Sequence, residues 1–123
     1  MFKISASSEY ALILVKHLSE RPGLRTLETV SSDTGIPLPM LRKVSNRLER
    51  AGIVESKKGR AGGIGLRAGE FSVKDVLVAA GENLSIAVCS GKEGCVSSGK
   101  CSIAPIVRNL QRGFETILAI TKL

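Results

Sequence analysis

The chain has 123 residues, of which 43% are hydrophobic, enough for one domain with a buried core and an appended element. Its 18 lysines and arginines exceed its 11 aspartates and glutamates, giving a net charge of +7 at pH 7. That excess favours an anionic partner such as nucleic acid. No apolar run approaches the roughly 20 residues needed to cross a bilayer, and the first residues lack the pattern of an export signal. We therefore expect a cytoplasmic protein with no membrane partner.

Three helices are predicted in the first part of the chain. Residues 7–19 begin at a serine that can cap a helix, and their apolar residues recur on one face until the sequence RPG ends the run. Thr26 can cap a short second helix that Gly35 ends. Pro37 lies near the first turn of a third, basic helix over 38–51. A short helix, a tight turn and a basic helix predict a helix-turn-helix.

A basic hairpin is predicted after the third helix. Residues 52–66 alternate apolar and polar side chains, reach a glycine-rich tip and return, which indicates a β-hairpin wing. From position 42 to position 67 there are eight basic residues and two acidic ones, so most of the net charge lies on the third helix and the wing. A helix-turn-helix followed by a basic wing is typical of a winged-helix DNA-binding domain. The side chains expected to contact DNA are Pro39, Met40, Arg42, Lys43 and Arg47 of the helix and Lys57, Lys58 and Arg60 of the wing.

Two more helices are predicted beyond the wing. Ser72 can cap a short helix over 71–81, and residues 103–121 carry apolar side chains at steps of three and four, the pattern of an amphipathic helix. One winged domain leaves little surface on which to bury such a stripe, so we expect this helix to pack against its copy in a homodimer. Folding back onto its own domain is the alternative. The fold is thus predicted to be mainly α, with a winged helix-turn-helix over 1–82, a cysteine-rich loop over 83–102 and a dimerisation helix over 103–123.

Three evenly spaced cysteines lie in the glycine-rich sequence CSGKEGCVSSGKC, which covers residues 89–101. An odd number of cysteines cannot pair off in disulfides, and in a reducing compartment grouped cysteines more often bind metal. The residues alone leave open a metal or iron–sulfur site short of one ligand, a structural zinc site, a thiol pair that oxidises to a disulfide, or three unrelated thiols. We expect no enzyme, because the chain has no catalytic triad, P-loop or dinucleotide-binding motif.

These segments together resemble the Rrf-two type of bacterial winged-helix transcriptional regulators, the family of the iron–sulfur cluster regulator IscR and the nitric-oxide-sensitive repressor NsrR. The resemblance covers the sequences KISASSEYALILVKHL, GIPLPMLRKVSNRLERAGIVESKKGRAGGIGL and FSVKDVLVAAG and the spaced cysteines. It implies a homodimer that binds double-stranded promoter DNA and holds a redox-sensitive iron–sulfur cluster (4Fe-4S or 2Fe-2S) near the dimer interface. Oxidation, nitrosylation or loss of that cluster would change the affinity for DNA. Some family members lack a cluster or act as partners of metabolic enzymes. A thiol-based regulator and an interaction module are therefore alternatives.

The resemblance also implies a set of ligands. Three thiolates, the usual ligands of iron in such clusters, would come from Cys89, Cys95 and Cys101. IscR-like members take a histidine three residues after the last cysteine as the fourth ligand, but this chain has Ala104 there. NsrR-like members use a carboxylate of the partner subunit's opening helix, and the matching position here is Glu9. The alternative for Glu9 is an ordinary first-turn acid. His17, the only histidine, is expected to be a surface or packing residue.

Overall fold

The computed structural model describes residues 4–59, 62–86 and 102–123, so Arg60 and the three cysteines lie outside the described residues. Within these ranges the chain forms five helices and one antiparallel hairpin, in the order α1 (Ala6–Glu20), α2 (Leu27–Thr34), α3 (Leu38–Arg50), β1 (Val54–Lys57), β2 (Gly63–Leu66), α4 (Val73–Ala79) and α5 (Ala104–Ile120). The prediction of a mainly helical fold with a hairpin after its third helix is confirmed. No helix in the described part of the chain is both long and apolar enough to span a membrane.

Side-chain caps set the ends of the first two helices. The Ser5 hydroxyl accepts a hydrogen bond from the Ser8 N–H at 3.2 Å, and the Thr26 hydroxyl accepts one from the Thr29 N–H at 3.2 Å. Each cap pairs a backbone donor that the first helical turn leaves without a partner. α2 ends at Gly35, whose φ of 78° lies in the left-handed region that favours glycine. The helix-turn-helix therefore has a short α2 and a tight turn, as expected.

The core lies between the helices and the base of the hairpin. The apolar faces of α1 and α3 are buried in it, together with residues of α2, α4 and the hairpin. The buried apolar set includes Ala11, Leu14, Val15, Leu18, Val30, Leu41, Val44, Leu48, Val54, Ile64, Val76 and Leu77. Burying one such leucine or valine stabilises the fold by about 1.5–3 kcal/mol. Because the apolar side of α3 packs in this core, the opposite side of α3 faces solvent.

The hairpin is joined at its base to the segment that precedes α2. Its strands pair from Val54 with Leu66 at one end, and β2 also forms a bridge with Arg25. The Arg25 N–H donates to the Ile64 carbonyl at 2.9 Å, and the Ile64 N–H donates to the Arg25 carbonyl at 2.7 Å. A Cβ atom on Gly63 would lie only 2.4 Å from the Arg25 carbonyl oxygen, so this contact requires glycine. The wing is thus held in a defined position beside the helix-turn-helix.

The last helix is attached to its own chain at its C-terminal end. α4 begins at a capping box in which the Ser72 hydroxyl accepts from the Asp75 N–H while the Asp75 carboxylate accepts from the Ser72 N–H. Next to this cap, the Val73 N–H donates to the Thr121 carbonyl at 2.8 Å. The C-terminal end of α5 is therefore hydrogen-bonded to the start of α4.

The apolar side chains of α5 fall into two rows. The first row is exposed: Ile106, Leu110 and Ile117 have 59%, 58% and 62% of their surface accessible. The second row, Val107, Phe114 and Leu118, is half-buried. Only part of the predicted apolar stripe is therefore covered by the helix's own chain.

Candidate nucleic-acid interface

The outward side of α3 is polar and basic. Arg42, Lys43 and Arg50 are exposed, as is Pro39 in the first turn, whereas Met40 is half-buried against the core. In the parts of the chain that the structure describes, none of the ion pairs involves a basic side chain of α3 or of the wing. An exposed helix face that carries uncompensated cations is suited to the major groove of DNA.

The wing extends this basic surface. Lys57 ends β1 and Lys58 follows it, and both are exposed, while Arg60 lies outside the described residues. Glu49, the one acidic residue of α3, accepts a hydrogen bond from the Ser56 hydroxyl at 2.7 Å, which holds its carboxylate against β1. The wing and α3 pack directly against each other. Two adjacent elements therefore present exposed cations, which is the arrangement predicted for DNA contact.

Arg47 differs from the other basic residues of α3. Its side chain is half-buried, and its Nη1 donates to the carbonyl oxygen of Ala80 at 2.9 Å. Ala80 is the C-cap of α4, where a cation is favoured by the helix dipole and by carbonyls without intrahelical partners. The sequence pattern placed Arg47 on the outward face of α3. The structure instead places its guanidinium between α3 and the end of α4.

Glu82 connects the residues after α4 to the start of α1. Its Oε2 accepts hydrogen bonds from the Ser5 N–H at 3.1 Å, from the Ser5 hydroxyl at 3.0 Å and from the hydroxyl of Ser8, which is fully buried. The Ser8 hydrogen bond is the main cause that lowers the pKa of Glu82 from its ordinary value, with the Ser5 donors adding to it. No sequence pattern indicated this contact, because the partners are more than seventy residues apart.

Gln111 joins the stretch before the cysteines to the middle of α5. Its side-chain nitrogen Nε2 donates to the Leu84 carbonyl at 2.7 Å, and its Oε1 accepts from the Ile86 N–H at 2.8 Å. The first cysteine follows Ile86 by three positions, and the last precedes Ala104, the first residue of α5, by three. The two ends of the cysteine-containing stretch are therefore both attached to α5. The sequence did not distinguish Gln111 from the other polar residues of this amphipathic helix.

The residues considered as the fourth ligand occupy different surroundings. Glu9 is exposed in the first turn of α1, whereas Ala104 is buried at the start of α5. Across residues 4–59, 62–86 and 102–123 the structure brings together no group of three or more histidine, cysteine, aspartate or glutamate side chains that could hold a metal ion. Because the cysteines lie outside these ranges, the proposed ligand set stays a prediction.

His17 is a packing residue between α1 and α2. The ring is buried, its Nδ1 accepts a hydrogen bond from Arg21 Nη1 at 3.3 Å, and its Nε2 lies 3.7 Å from an Asp33 carboxylate oxygen. Because Nδ1 accepts, the ring proton of the neutral form is on Nε2. Burial is the largest cause that lowers the pKa of His17 below its ordinary value of 6.5, and the Arg21 charge lowers it further.

This burial predicts a pH dependence of stability. A histidine whose folded-state pKa is lowered takes up its proton more readily in the unfolded chain, so the free energy of unfolding should fall as the pH drops below about 6.5. Urea unfolding at pH 7.5 and pH 5.5 measures that loss, and in His17→Gln the loss should be smaller. The lowered pKa of Glu82 changes the free energy of unfolding only below its ordinary value of 4.5, which is outside the range from pH 5.5 to pH 7.5. Equal losses of unfolding free energy in the wild type and in His17→Gln would show that His17 does not cause the pH dependence.

The family of the chain follows from its match to known sequences. Residues 4–123 match the family model described as "Rrf2: Iron-dependent Transcriptional regulator". The chain belongs to the Rrf2 (Rrf-two) family. Among its relatives, the HTH-type transcriptional regulator IscR of Aliivibrio salmonicida is 31% identical over 120 residues, which are 94% of this chain and 71% of that protein. The IscR regulator of Xenorhabdus nematophila is 30% identical over 120 residues, covering 94% and 73%.

Solved structures agree with the Rrf2 fold. The structure of CymR, described as the global cysteine regulator of B. subtilis, superposes with a TM-score of 0.77 at 20% identity and covers 99% of this chain and 93% of that one. The structure of T. potens IscR superposes with a TM-score of 0.66 at 20% identity, covering 98% and 82%. At this identity the likeness shows the winged helix-turn-helix fold alone.

This Rrf2 protein is therefore a transcriptional regulator of a DNA-binding family rather than an enzyme, as the sequence predicted.

Proposed function

We propose that this Rrf2 regulator is a cytoplasmic homodimer whose affinity for promoter DNA is controlled by an iron–sulfur cluster bound through its cysteine loop. The exposed basic surface formed by α3 and the wing is the observation that supports DNA binding. In this arrangement α3 lies in the major groove, where Arg42 and Lys43 reach base edges or phosphates and Pro39 and Met40 contact bases at the helix start. The wing cations at positions 57, 58 and 60 contact phosphates or enter the minor groove.

The salt dependence of DNA binding tests the role of the wing. Each phosphate contact that is lost should lower the slope of log affinity against log salt concentration by about 0.9. We therefore expect shallower slopes for Lys57→Ala and Lys58→Ala than for the wild type, measured by fluorescence anisotropy on a duplex selected from a random library. Lys16→Ala is the matched control, because Lys16 is exposed on α1 and pairs with Glu20 at 3.5 Å. Slopes equal to the wild-type slope would exclude both lysines from the phosphate interface.

The chemistry of the donors supports an iron–sulfur cluster. Three cysteines supply thiolates, and the glycines between them allow close approach to a compact centre. The family is described as iron-dependent, and two relatives of about 30% identity are IscR regulators. In the proposed site Cys89, Cys95 and Cys101 hold the cluster together with Glu9 of the second subunit, which is exposed in the first turn of its helix. When bound, the cluster would supply a group that responds to oxidants, nitric oxide or iron–sulfur supply.

A carboxylate ligand would differ in kind from the three thiolates. Carboxylate oxygen is a harder donor than thiolate sulfur and holds iron less tightly. We therefore propose that the iron at Glu9 is the more reactive one, and that Lys92 and Lys100 offset part of the negative charge of the thiolates and cluster. Gln111 fixes the stretch before the cysteines on α5, and the stretch after them leads directly into the same helix.

Anaerobic purification followed by iron and sulfide analysis, with ultraviolet–visible and Mössbauer spectra, tests the cluster. We expect a coloured wild-type protein, a colourless Cys95→Ser variant, and an altered cluster spectrum or lifetime in Glu9→Ala. Glu28→Ala is the matched control, since Glu28 is also an exposed acid in the first turn of a helix. His17→Ala should leave the spectrum unchanged because its ring is engaged by Arg21.

The same preparation separates the alternatives. A protein without iron that accepts none on reconstitution would reject the cluster while leaving DNA binding intact. Loss of two hydrogen masses on treatment with a thiol oxidant would then support a disulfide-forming regulator. Bound zinc in place of iron would indicate a structural site. Failure to bind any selected duplex would favour an interaction module.

A further inference from the structure

Residues 80–86, here called the junction segment, lead from α4 to the stretch that contains the cysteines. The segment leaves α4 in a fixed direction, because the Glu82 N–H donates to the Leu77 carbonyl at 2.9 Å and the Gly81 N–H donates to the Val78 carbonyl at 3.0 Å. Gly81 has a φ of 85°, in the left-handed region typical of a residue that ends a helix. The end of the junction segment that adjoins α4 is therefore fixed in position.

Three side chains bind the junction segment to three different helices. Arg47 joins it to α3 through the Ala80 carbonyl, at 2.9 Å. Glu82 joins it to the start of α1 through Ser5 and the fully buried Ser8. Gln111 joins it to α5 through two hydrogen bonds to its backbone. Two of the three contacts involve a charged group, and such hydrogen bonds are stronger than neutral ones.

Each contact has a distinct structural consequence. The Arg47 contact acts on α3, the helix that carries Arg42 and Lys43 one turn earlier. The Glu82 contact acts on the first turn of α1, where Glu9 directly follows Ser8. The Gln111 contact fixes the end of the segment that is nearest in sequence to the first cysteine. The segment therefore contacts the DNA-facing helix, the helix that carries the proposed fourth ligand, and the helix proposed to form the dimer.

We propose that the junction segment couples the chemical state of the three cysteines to the position of α3, with Arg47, Glu82 and Gln111 as positioning residues. The inference rests on the proposed function in that it takes the cysteines as the sensing group. Arg47 then acts from within the protein on the placement of α3, rather than by touching DNA itself. Coupling between two sites can be carried by chains of hydrogen-bonded and packed residues, and these hydrogen bonds form such a chain from Ile86 to α3.

The ratio of DNA affinities in two cysteine states tests the coupling. The selected duplex is titrated with protein carrying iron and sulfide, with metal-free reduced protein, and with protein whose cysteines are alkylated by iodoacetamide. In the wild type we expect affinities that differ by about 10- to 100-fold between at least two of these states. In Gln111→Leu and Glu82→Ala we expect all states to bind within about threefold of each other. Asn109→Leu on the exposed side of α5 and Glu70→Ala before α4 are matched controls that should keep the wild-type ratio.

A second measurement guards against variants that simply lose stability. Hydrogen exchange of the α3 amides is compared before and after alkylation, in variants whose circular dichroism matches that of the wild type. Alkylation should change α3 exchange in the wild type and in Asn109→Leu but not in Gln111→Leu. Partial recovery of the affinity ratio in Glu82→Gln, whose amide oxygen still accepts hydrogen bonds from the serines, would assign the effect to this contact.

The outcomes separate this inference from the proposed function. If the Gln111→Leu and Glu82→Ala variants keep the wild-type ratio of DNA affinities, the coupling through the junction segment is wrong, while a cluster-based regulator remains possible. If the wild type binds no iron but its DNA affinity changes on alkylation, and that change is absent in Gln111→Leu and Glu82→Ala, the cluster is rejected and the coupling through the junction segment is supported. A wild type whose affinity is the same in all three cysteine states would overturn the junction.

Discussion

Replacing Gly63 with alanine is expected to displace the wing and to weaken DNA binding. The new Cβ atom would lie 2.4 Å from the Arg25 carbonyl oxygen and 2.6 Å from its carbon, both of them backbone atoms. The φ of 154° at this position adds strain for any residue with a side chain. Because the backbone on both sides would have to move, the two hydrogen bonds between Arg25 and Ile64 would be lost.

The expected magnitudes follow from this geometry. Overpacking against fixed atoms costs about 1–3 kcal/mol, so the free energy of unfolding measured in urea should fall by that amount. A wing that no longer holds Lys57 and Lys58 near the DNA should lower the affinity for the selected duplex by about tenfold, which is about 1.4 kcal/mol.

Gly65→Ala in the same strand is the control for this change. A Cβ atom there would meet the Leu24 side-chain methyl at 3.1 Å, and that methyl can shift. Gly65→Ala should therefore retain most of the stability and the DNA affinity. Equal losses in the two variants would mean that the bridge at Arg25 does not position the wing.

Local chemistry explains why the elements could be predicted from the sequence. The Thr26 cap, the left-handed Gly35 and the Ser72 cap each act on residues within one turn, so their signals lie within a few positions. The inward side chains of α3 follow from its period of 3.6 residues in the same way. The exposure of Arg42 and Lys43 is a direct consequence, because they lie opposite Leu41, Val44 and Leu48.

The contacts that join these elements could not be predicted in the same way. Glu82 and Ser8 are 74 residues apart, and Arg47 and Ala80 are 33 apart. Such pairs depend on the packing of whole helices, for which one sequence carries no periodic signal. Periodicity placed Arg47 on the polar side of α3 but did not show that the end of α4 covers part of that side. The role of Arg47 in the fold therefore became visible only in the structure.

The exposed row of α5 has a regular spacing. Its large apolar residues are Ile103, Ile106, Leu110, Ile117 and Ile120, which follow spacings of three, four, seven and three. These are the a and d positions of a heptad repeat, with Gly113 at the one remaining d position. A strict a and d seam is typical of a helix that packs against another helix. This pattern supports a second copy of α5 as the partner, as the proposed homodimer requires.

Replacing both Leu110 and Ile117 with aspartate is therefore expected to give a monomer. The two positions are 58% and 62% exposed, so the substitutions remove little packing within one chain but place charges in the seam. A dimer that binds two half-sites gains about 100-fold or more in affinity from the linkage of its two domains, and the variant should lose that gain. Sedimentation equilibrium measures the mass, and duplexes with one or two half-sites measure the affinity.

Arg112→Asp is the control for this double variant, because it places a negative charge at an exposed c position of the same helix, on the side away from the seam. It should remain dimeric, with DNA affinity near that of the wild type. The double variant should bind a duplex with one half-site as well as the wild type does, because α3 and the wing are unchanged. A variant that still sediments as a dimer would exclude the seam as the interface. Since the α5 that bears the seam also holds the junction segment through Gln111, loss of the dimer should further reduce the response to cysteine state.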